Sequence, residues 1–253
     1  TLFGEVKDET NDTTIQGDCA YYIANAAVRL NQQGADNLMQ SFVNEYPTST
    51  KRNSAYLDVA SFYFDNGKYA YARKWYKKVD ISSLGKSNMD SFHFNYGYSL
   101  YNLKKYEKAK LNLQKVELTQ SYGVQAKYYI GFMAYETDDY SQASVYFDQL
   151  ENNEAYKDNL SYYKADLNFK LGKFEMAIEL ALAIIEKGGR KKASELSKII
   201  GESYFNLQMY AKAIPYLEAY KGQKGRWSHT DFYQLGYAFY KQNDYLKSIN
   251  EFN

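Results

Sequence analysis

The sequence has few of the residues that interrupt helices or build chemical sites. Its 253 residues include only 2 prolines, 1 cysteine and 2 histidines. Few prolines favour long helices, because proline removes a backbone donor and breaks a helix interior. The single cysteine, Cys19, excludes an intrachain disulfide. His93 and His229 are widely separated along the chain, which argues against a metal cluster.

Two further absences narrow the class of protein. No apolar run approaches the roughly 18 residues that a membrane-spanning helix needs. The formal net charge is +1, and no basic stripe is evident. We therefore expect neither a membrane span nor a nucleic-acid partner. Tyrosine, in contrast, is abundant, with 29 copies in a sequence that is 18% aromatic. Its apolar ring and polar hydroxyl suit half-buried surfaces.

One spaced pattern recurs six times along the chain. Each copy has a small residue, an aromatic residue nine positions later, and a second small residue three positions after that. Successive aromatic residues are 37, 34, 34, 36 and 35 positions apart. The first small residues are Ala60, Gly97, Gly131, Ala165, Gly201 and Gly236, and the leading aromatic residues are Tyr69, Tyr106, Tyr140, Phe174, Tyr210 and Tyr245.

This spacing predicts a pair of helices in each copy. Apolar and small residues follow each leading aromatic residue with gaps of three and four, which is one face of an α-helix. A short polar turn precedes each leading aromatic residue, and two helices joined so tightly pack antiparallel. Small residues, such as Gly97 on the first helix and Ala109 on the second, let the two backbones approach closely. The sequence therefore predicts an all-α fold.

The pattern resembles the tetratricopeptide repeat, which has a period of about 34 residues. The stretch "FYQLGYAFYKQNDYLKSINEF" at 232–252 is similar to the family consensus, although the consensus proline between repeats is missing throughout. The resemblance implies a right-handed α-solenoid of stacked antiparallel helix pairs. We expect six repeats over 53–253, the last one truncated, as part of a longer protein. Upstream we expect a degenerate helix pair over 18–52 and an irregular leader over 1–17.

The resemblance also implies a binding groove lined by the first helices of successive repeats. Groove positions lie three residues before, one after and four after each first small residue. Repeats one and five are less aromatic there, with Leu57, Ser61 and Phe64, and with Lys198, Glu202 and Phe205; repeat four has Asp166 at its middle position. The predicted partner-binding residues are Phe94, Tyr98, Tyr101, Tyr128, Phe132, Tyr135, Tyr162, Phe169, Tyr233, Tyr237 and Tyr240.

The outer groove positions are often aromatic in the family for packing alone, whereas the middle position is usually polar. The aromatic residues at middle positions, Tyr98, Phe132 and Tyr237, are therefore the sharper candidates for a binding surface. Tyrosine also gives a large contact area at low entropic cost.

No constellation of residues indicates catalysis, and no cofactor is expected. The leading hypothesis is a non-enzymatic scaffold that binds a peptide or partner protein in the tyrosine-rich groove. The alternative is a carbohydrate-binding module whose tyrosine rings stack on the sugar rings of cell-envelope glycan. A third interpretation is a spacer for a catalytic domain elsewhere in a longer chain.

Two expectations concern location and assembly. The chain resembles multi-repeat proteins of the bacterial cell envelope, which favours a periplasmic or envelope location over a cytoplasmic one. The last repeat lacks the end of its second helix, so we expect it either to fray or to self-associate with a second molecule.

Overall fold

Helices form nearly all of the regular structure. The computed structural model describes residues 2–188 and 192–252. Within those ranges the only β-type pairing is an isolated bridge between Gln223 and Arg226, so the predicted all-α class is confirmed. In chain order the elements are α1 (Leu2–Glu9), α2 (Thr13–Arg29), α3 (Ala35–Glu45), α4 (Arg52–Asp65), α5 (Tyr69–Tyr76), a 3-10 turn (Ile81–Ser83), α6 (Lys86–Asn102), α7 (Tyr106–Leu113), α8 (Gly123–Glu136), α9 (Tyr140–Asp148), α10 (Lys157–Lys170), α11 (Phe174–Glu186), α12 (Ala193–Asn206), α13 (Tyr210–Ala219), α14 (His229–Lys241) and α15 (Tyr245–Phe252).

The chain divides into two compact units, Thr1–Met133 and Ala134–Asn253. The first unit contains α1 to α7 and most of α8, and the second contains the end of α8 and α9 to α15. Neighbouring helices pack as pairs within each unit. The pairs are α2 with α3, α4 with α5 and α6 with α7 in the first unit, and α10 with α11, α12 with α13 and α14 with α15 in the second.

The repeat register predicted from the sequence sets the helix boundaries. Each of the six leading aromatic residues is the first residue of a second helix, and three residues separate it from the end of the first helix. The middle one of those three residues has a positive φ in every copy. A left-handed residue there reverses the chain within a very short turn. These turn residues are Gly67, Lys104, Asp138, Gly172, Gln208 and Asn243.

The first small residues lie where the two helices of a pair meet. A Cβ added at Gly97 would lie 2.9 Å from Cγ of Leu113, and one at Gly201 would lie 2.9 Å from Cδ2 of Leu217. Both facing leucines come 16 positions after the glycine and are buried. The second small residues are buried as well. At Gly97 and Gly201, close packing between the two helices outweighs the roughly 1 kcal/mol that glycine costs in a helix.

The N-terminal segment differs from the expected irregular leader. Residues 2–9 form α1, which packs on α2, and the ring of Phe3 stacks on Tyr22 at 5.3 Å. Asp12 caps α2 by accepting hydrogen bonds from the backbone N–H groups of Thr14 and Ile15 at 2.8 and 3.3 Å. A capping aspartate followed by helix explains why a Thr- and Asp-rich composition is compatible with order here.

Candidate functional site

An aromatic cluster surrounds Tyr98 in the first unit. Tyr98 is the residue after the first small residue of α6, and its ring contacts Phe64 and Tyr69 of the preceding pair at centroid distances of 5.7 and 5.4 Å. Phe94 and Tyr101, on the same face of α6, lie 6.2 Å from it on either side. The expected set thus comes together around the middle position of repeat two, and we call it the Tyr98 cluster.

The second unit repeats this arrangement around Tyr237. The ring of Tyr237, on α14, contacts Phe205 of α12 at 5.8 Å and Tyr210 of α13 at 5.7 Å. Tyr233 stacks on it at 5.9 Å, and Tyr240 follows at 6.4 Å. Each member of this Tyr237 cluster occupies the same repeat position as a member of the Tyr98 cluster. The repeat therefore places a middle-position tyrosine between two aromatic residues of the preceding pair.

The two clusters differ in how much ring surface reaches solvent. Tyr233 and Tyr240 are 54% and 53% exposed, whereas Phe94, Tyr98 and Tyr101 are half-buried. Tyr233 and Tyr240 are seven residues apart on α14, which puts them on one face about 10 Å apart along the axis. The Tyr237 cluster therefore offers the larger accessible aromatic surface.

Phe132 does not fit the expected row of exposed rings. It is only 7% exposed, and its ring lies 4.7 Å from that of Tyr128. Ile130 and Met133 of the same helix are buried too, so this part of α8 is core on several of its faces. Phe132 is consequently packed within the protein and offers little ring surface to a partner.

The other predicted residues of the second unit, Tyr135, Tyr162 and Phe169, are half-buried and contact neighbouring side chains. The hydroxyl of Tyr135 donates to Asp166, and Phe169 packs on Phe174 at 5.8 Å. The ammonium group of Lys192 lies 3.6 Å from the ring centre of Tyr162. These contacts join α8 to α10, α10 to α11, and α10 to the start of α12. Packing of this kind is what the family's outer groove positions often provide.

Repeat four and repeat five carry carboxylates at the middle position. The Asp166 carboxylate accepts a hydrogen bond from the Tyr135 hydroxyl. The ammonium group of Lys170 lies 4.0 Å from that carboxylate and donates a hydrogen bond to the Tyr140 hydroxyl at 3.2 Å. Tyr135 and Tyr140 hold the positions that Phe205 and Tyr210 hold in the Tyr237 cluster. The Asp166 carboxylate therefore meets the first of these two aromatic positions through a hydroxyl group instead of a ring, and Lys170 links it to the second.

Glu202 is the buried carboxylate of repeat five. Lys198 lies 3.6 Å from Glu202 and 2.7 Å from Asp231 of α14. Burial raises the pKa of Glu202 above its ordinary value, against the attraction of Lys198. Burial alone would also raise the pKa of Asp231, but hydrogen bonds from Lys198 and Ser228 hold that pKa below its ordinary value. The lysine is thus engaged within the protein and joins α12 to α14.

Several contributing residues were missed by the sequence analysis. Tyr129 lies 4.7 Å from Tyr98 and 5.0 Å from Tyr101, and Tyr122 stacks on Phe94 at 4.8 Å. Both precede the small residue of their repeat at positions outside the three that the family pattern marks. The only available signal was the density of tyrosine in 122–129.

Tyrosine–aspartate pairs between repeats were also missed. The hydroxyl of Tyr21 donates to Asp58 at 2.8 Å, and that of Tyr63 donates to Asp36. Burial, and then the adjacent carboxylate, raises the pKa of Tyr21 well above its ordinary value. These pairs are more than 25 residues apart in sequence, so helical periodicity gives no indication of them.

Residues 2–188 and 192–252 contain no group of three or more His, Cys, Asp or Glu side chains that could hold a metal ion. Cys19 is a buried free thiol. None of the helices in those ranges combines the length and the apolar character that crossing a bilayer requires.

Comparison with known proteins identifies the fold. A family model described as tetratricopeptide repeat matches residues 18–49, the pair α2–α3 that the sequence analysis had regarded as degenerate. A solved tetratricopeptide repeat protein from Parabacteroides merdae superposes with a TM-score of 0.54 at 14% identity, covering 93% of this chain and 90% of its own. The chain has the tetratricopeptide-repeat fold.

Other solved structures with a similar fold are just as distant in sequence. MamA from Desulfovibrio magneticus has a TM-score of 0.54 at 16% identity, covering 67% of this chain and 93% of its own. MamA AMB-1 has a TM-score of 0.55 at 12% identity, covering 64% and 87%. No curated protein matches the chain. At these identities the likeness establishes the fold and leaves the partner to be argued from this chain's own surface.

Proposed function

We propose that the chain is a non-enzymatic scaffold that binds a peptide or a partner protein on its aromatic clusters. Tetratricopeptide repeats are protein-interaction folds in general. The observation that carries the finer proposal is the recurrence of one ring arrangement, around Tyr98 in the first unit and around Tyr237 in the second. The face of α14 that carries Tyr233 and Tyr240 is its most accessible part.

The chemistry of the Tyr237 cluster suits a peptide. Tyr233, Tyr237 and Tyr240 form a continuous run of rings along two turns of α14. Each ring carries a hydroxyl group, which can donate and accept a hydrogen bond. Aromatic anchors of this kind carry much of the energy of protein interfaces. An extended peptide advances about 3.3 Å per residue, so three or four of its residues span the run.

Peptide selection tests the proposal. A random library of peptides about ten residues long, roughly 30 Å when extended, is panned on the wild-type protein. The dissociation constant of each selected peptide is then measured for the wild type and for the Tyr233→Ala/Tyr240→Ala protein. We expect the double substitution to weaken binding by about tenfold or more, since it removes two aromatic anchors.

The matched control is Tyr71→Ala, because Tyr71 is 52% exposed and lies on a second helix, α5. That substitution should leave the dissociation constant unchanged. Peptides that bind the double variant as tightly as the wild type would refute the proposed face.

The carbohydrate alternative is decided by the same proteins. A sugar ring needs an open aromatic face, whereas Tyr237 has rings of four neighbours around it. Glycan-array binding that is lost in the double variant, together with failure to select any peptide, would replace the peptide proposal with the glycan one. A cell-envelope location and self-association through the last repeat stay predictions.

A further inference from the structure

A polar cavity lies between the first helices of two neighbouring pairs in the first unit. Its volume is about 570 Å³, which is within the range of ligand-binding clefts. One wall is the end of α2 with the loop after it, and it carries Arg29. The other wall is α4, where Asp58, Phe62 and Asp65 follow one another with gaps of four and three residues. That spacing puts the three side chains on one face of the helix.

Hydrogen bonds within the protein engage only one carboxylate oxygen of Asp58. Oδ2 accepts a hydrogen bond from the hydroxyl of Tyr21 at 2.8 Å and another from the side-chain amide of Asn25 at 2.6 Å. No residue in 2–188 or 192–252 donates to Oδ1. An ionised carboxylate accepts at both oxygens, so Asp58 keeps acceptor capacity for a ligand in the cavity.

The charge of Asp58 is poorly compensated. Burial raises the pKa of Asp58 above its ordinary value, against the hydrogen bonds from Tyr21 and Asn25. The guanidinium of Arg29 is held by Asn25, which accepts from its Nε–H at 2.9 Å. Among the described residues no ion pair includes Asp58 or Arg29. A bound cation would therefore offset part of the cost of burying this carboxylate.

Two further lining residues suit a cationic ligand. Asp65 is exposed and has neither a hydrogen bond nor an ion pair with any residue in the described ranges. The half-buried ring of Phe62 lies on the same face, between the two aspartates in sequence. An aromatic ring attracts a cation placed over its face. With two carboxylates and one guanidinium, the cavity lining carries one net negative charge.

We propose that the cavity between α2 and α4 receives an arginine side chain of a partner protein. The planar guanidinium donates to Oδ1 of Asp58 and stacks on the ring of Phe62, while Asp65 attracts the cation to the opening. Lysine fits less well, because its ammonium group has no planar fork and does not stack on a ring. The site shares no residue with the Tyr98 and Tyr237 clusters and does not depend on the proposed function.

The test selects peptides on a protein whose accessible aromatic face has been removed. A library of random peptides about ten residues long, each with a central arginine and roughly 30 Å when extended, is panned on the Tyr233→Ala/Tyr240→Ala protein. Each selected peptide is also made with citrulline, in which an uncharged urea group replaces the guanidinium. Fluorescence anisotropy gives the dissociation constants for the wild type. We expect citrulline to weaken binding by about tenfold or more.

Substitutions in the cavity should shift the affinity in opposite directions. Asp58→Asn keeps the size of the side chain and should weaken the arginine peptides by about tenfold, without changing the citrulline peptides. Asp65→Asn should weaken the arginine peptides by about threefold, because it removes only the charge at the opening. Arg29→Ala should strengthen them by about threefold, because it removes a competing cation. Circular dichroism melting checks that each variant is folded, and Asp65→Asn alters an exposed side chain without partners.

The matched control is Glu45→Gln/Glu107→Gln, which neutralises two exposed carboxylates on α3 and α7 of the same unit. It changes the net charge as much as Asp58→Asn/Asp65→Asn does, and it should bind the arginine peptides as the wild type does. Equal weakening by the two double substitutions would show attraction to total charge and overturn the proposal. Equal affinity of arginine and citrulline peptides for the wild type would overturn it as well.

Two further probes assign the chemistry of the ligand. Lysine versions of the selected peptides that bind as tightly as the arginine versions would replace guanidinium recognition with a general cation site. Calorimetric binding of Ca²⁺ alone, lost in Asp58→Asn, would overturn the protein partner in favour of a metal ion. The arginine peptides must bind the Tyr233→Ala/Tyr240→Ala protein, whereas the proposed function requires that variant to bind its peptides weakly, so the two tests fail separately.

Discussion

The second unit contains two solutions to the same packing problem. In repeat six, Tyr237 inserts its ring against Phe205 and Tyr210 of the preceding pair. In repeat four, Asp166 occupies the equivalent position and accepts a hydrogen bond from the hydroxyl of Tyr135. The backbone register is the same at both places, but one contact between repeats is apolar and the other is polar.

The repeat pattern fixes where the middle position lies, whereas the side chain at that position determines the kind of contact it makes. The small residue, the three-residue turn and the leading aromatic residue place the middle position against the preceding pair. The side chain there then determines whether a row of rings continues onto the surface, as at Tyr233 and Tyr240, or ends in a hydrogen-bonded pair, as at Asp166. Functional aromatic surface is expected only where the middle residue is aromatic and accessible.

The largest predicted effect on stability comes from removing the apolar contacts of Tyr237 in repeat six. Tyr237→Ala removes four ring contacts, and aromatic pairs contribute about 0.5–1.5 kcal/mol each beyond area burial. We expect the free energy of unfolding to fall by about 3 kcal/mol, measured by urea denaturation. Tyr237→Phe keeps the ring and should change it by less than about 0.5 kcal/mol. Similar losses in both variants would show that the hydroxyl, and not the ring contacts, stabilises repeat six.

The next prediction tests the polar side. Asp166→Ala and Tyr135→Phe each remove one partner of the same hydrogen bond, and bonds to charged groups contribute about 1.5–3 kcal/mol. The double-mutant cycle should give a coupling energy of about 1.5 kcal/mol, because the second substitution loses little once the first is made. Additive losses would mean that the two side chains stabilise the repeat independently.

Alkaline pH sharpens the comparison further. Burial, with Asp166 and Glu195 nearby, raises the pKa of Tyr162 to about 12. Because this folded-state pKa lies above the unfolded value near 10, the stabilisation is present below pH 10 and is lost as the pH rises through 12. By pH 11 the wild type should lose about 1 kcal/mol more than Tyr162→Phe, after allowance for partial exposure. Parallel pH profiles for the two proteins would contradict the shift.

The smallest effect concerns the turn that both solutions share. Gln208 and Gly172 occupy the same turn position with φ values of 59° and 72°. Since a left-handed conformation costs a non-glycine residue about 1–2 kcal/mol, Gln208→Gly should raise the free energy of unfolding by about 0.5 kcal/mol after the entropic cost of glycine. Gly172→Ala should lower it by about 1 kcal/mol. A thermal melt compares them, and changes of the same sign would be inconsistent with a shared turn geometry.

Much of the fold follows from spacing alone. The leading aromatic residues define the starts of six helices because an aromatic residue after a tight turn closes the end of a helix pair. Gly97 and Gly201 lie against the second helix, as a small residue at a helix crossing requires. The local spacing of residues therefore predicts which positions of successive helices face each other, and a repeat fold depends on that register.

The site was less predictable because exposure depends on neighbours distant in sequence. Phe132 shares its repeat position with Tyr98 and Tyr237 but is buried, since the residues around it on α8 are core as well. The hydrogen bond between Tyr21 and Asp58 spans 37 positions and has no periodic signature. The helix α1 depends on contacts with α2 that composition does not indicate.

Hydrogen exchange in the presence of a selected peptide tests most directly whether the Tyr237 cluster binds partners. We predict slower amide exchange in α14, residues His229–Lys241, with no change in α11, residues Phe174–Glu186. Unchanged exchange in α14 at saturating peptide, or slowing confined to helices that carry no member of the cluster, would contradict binding on this aromatic face.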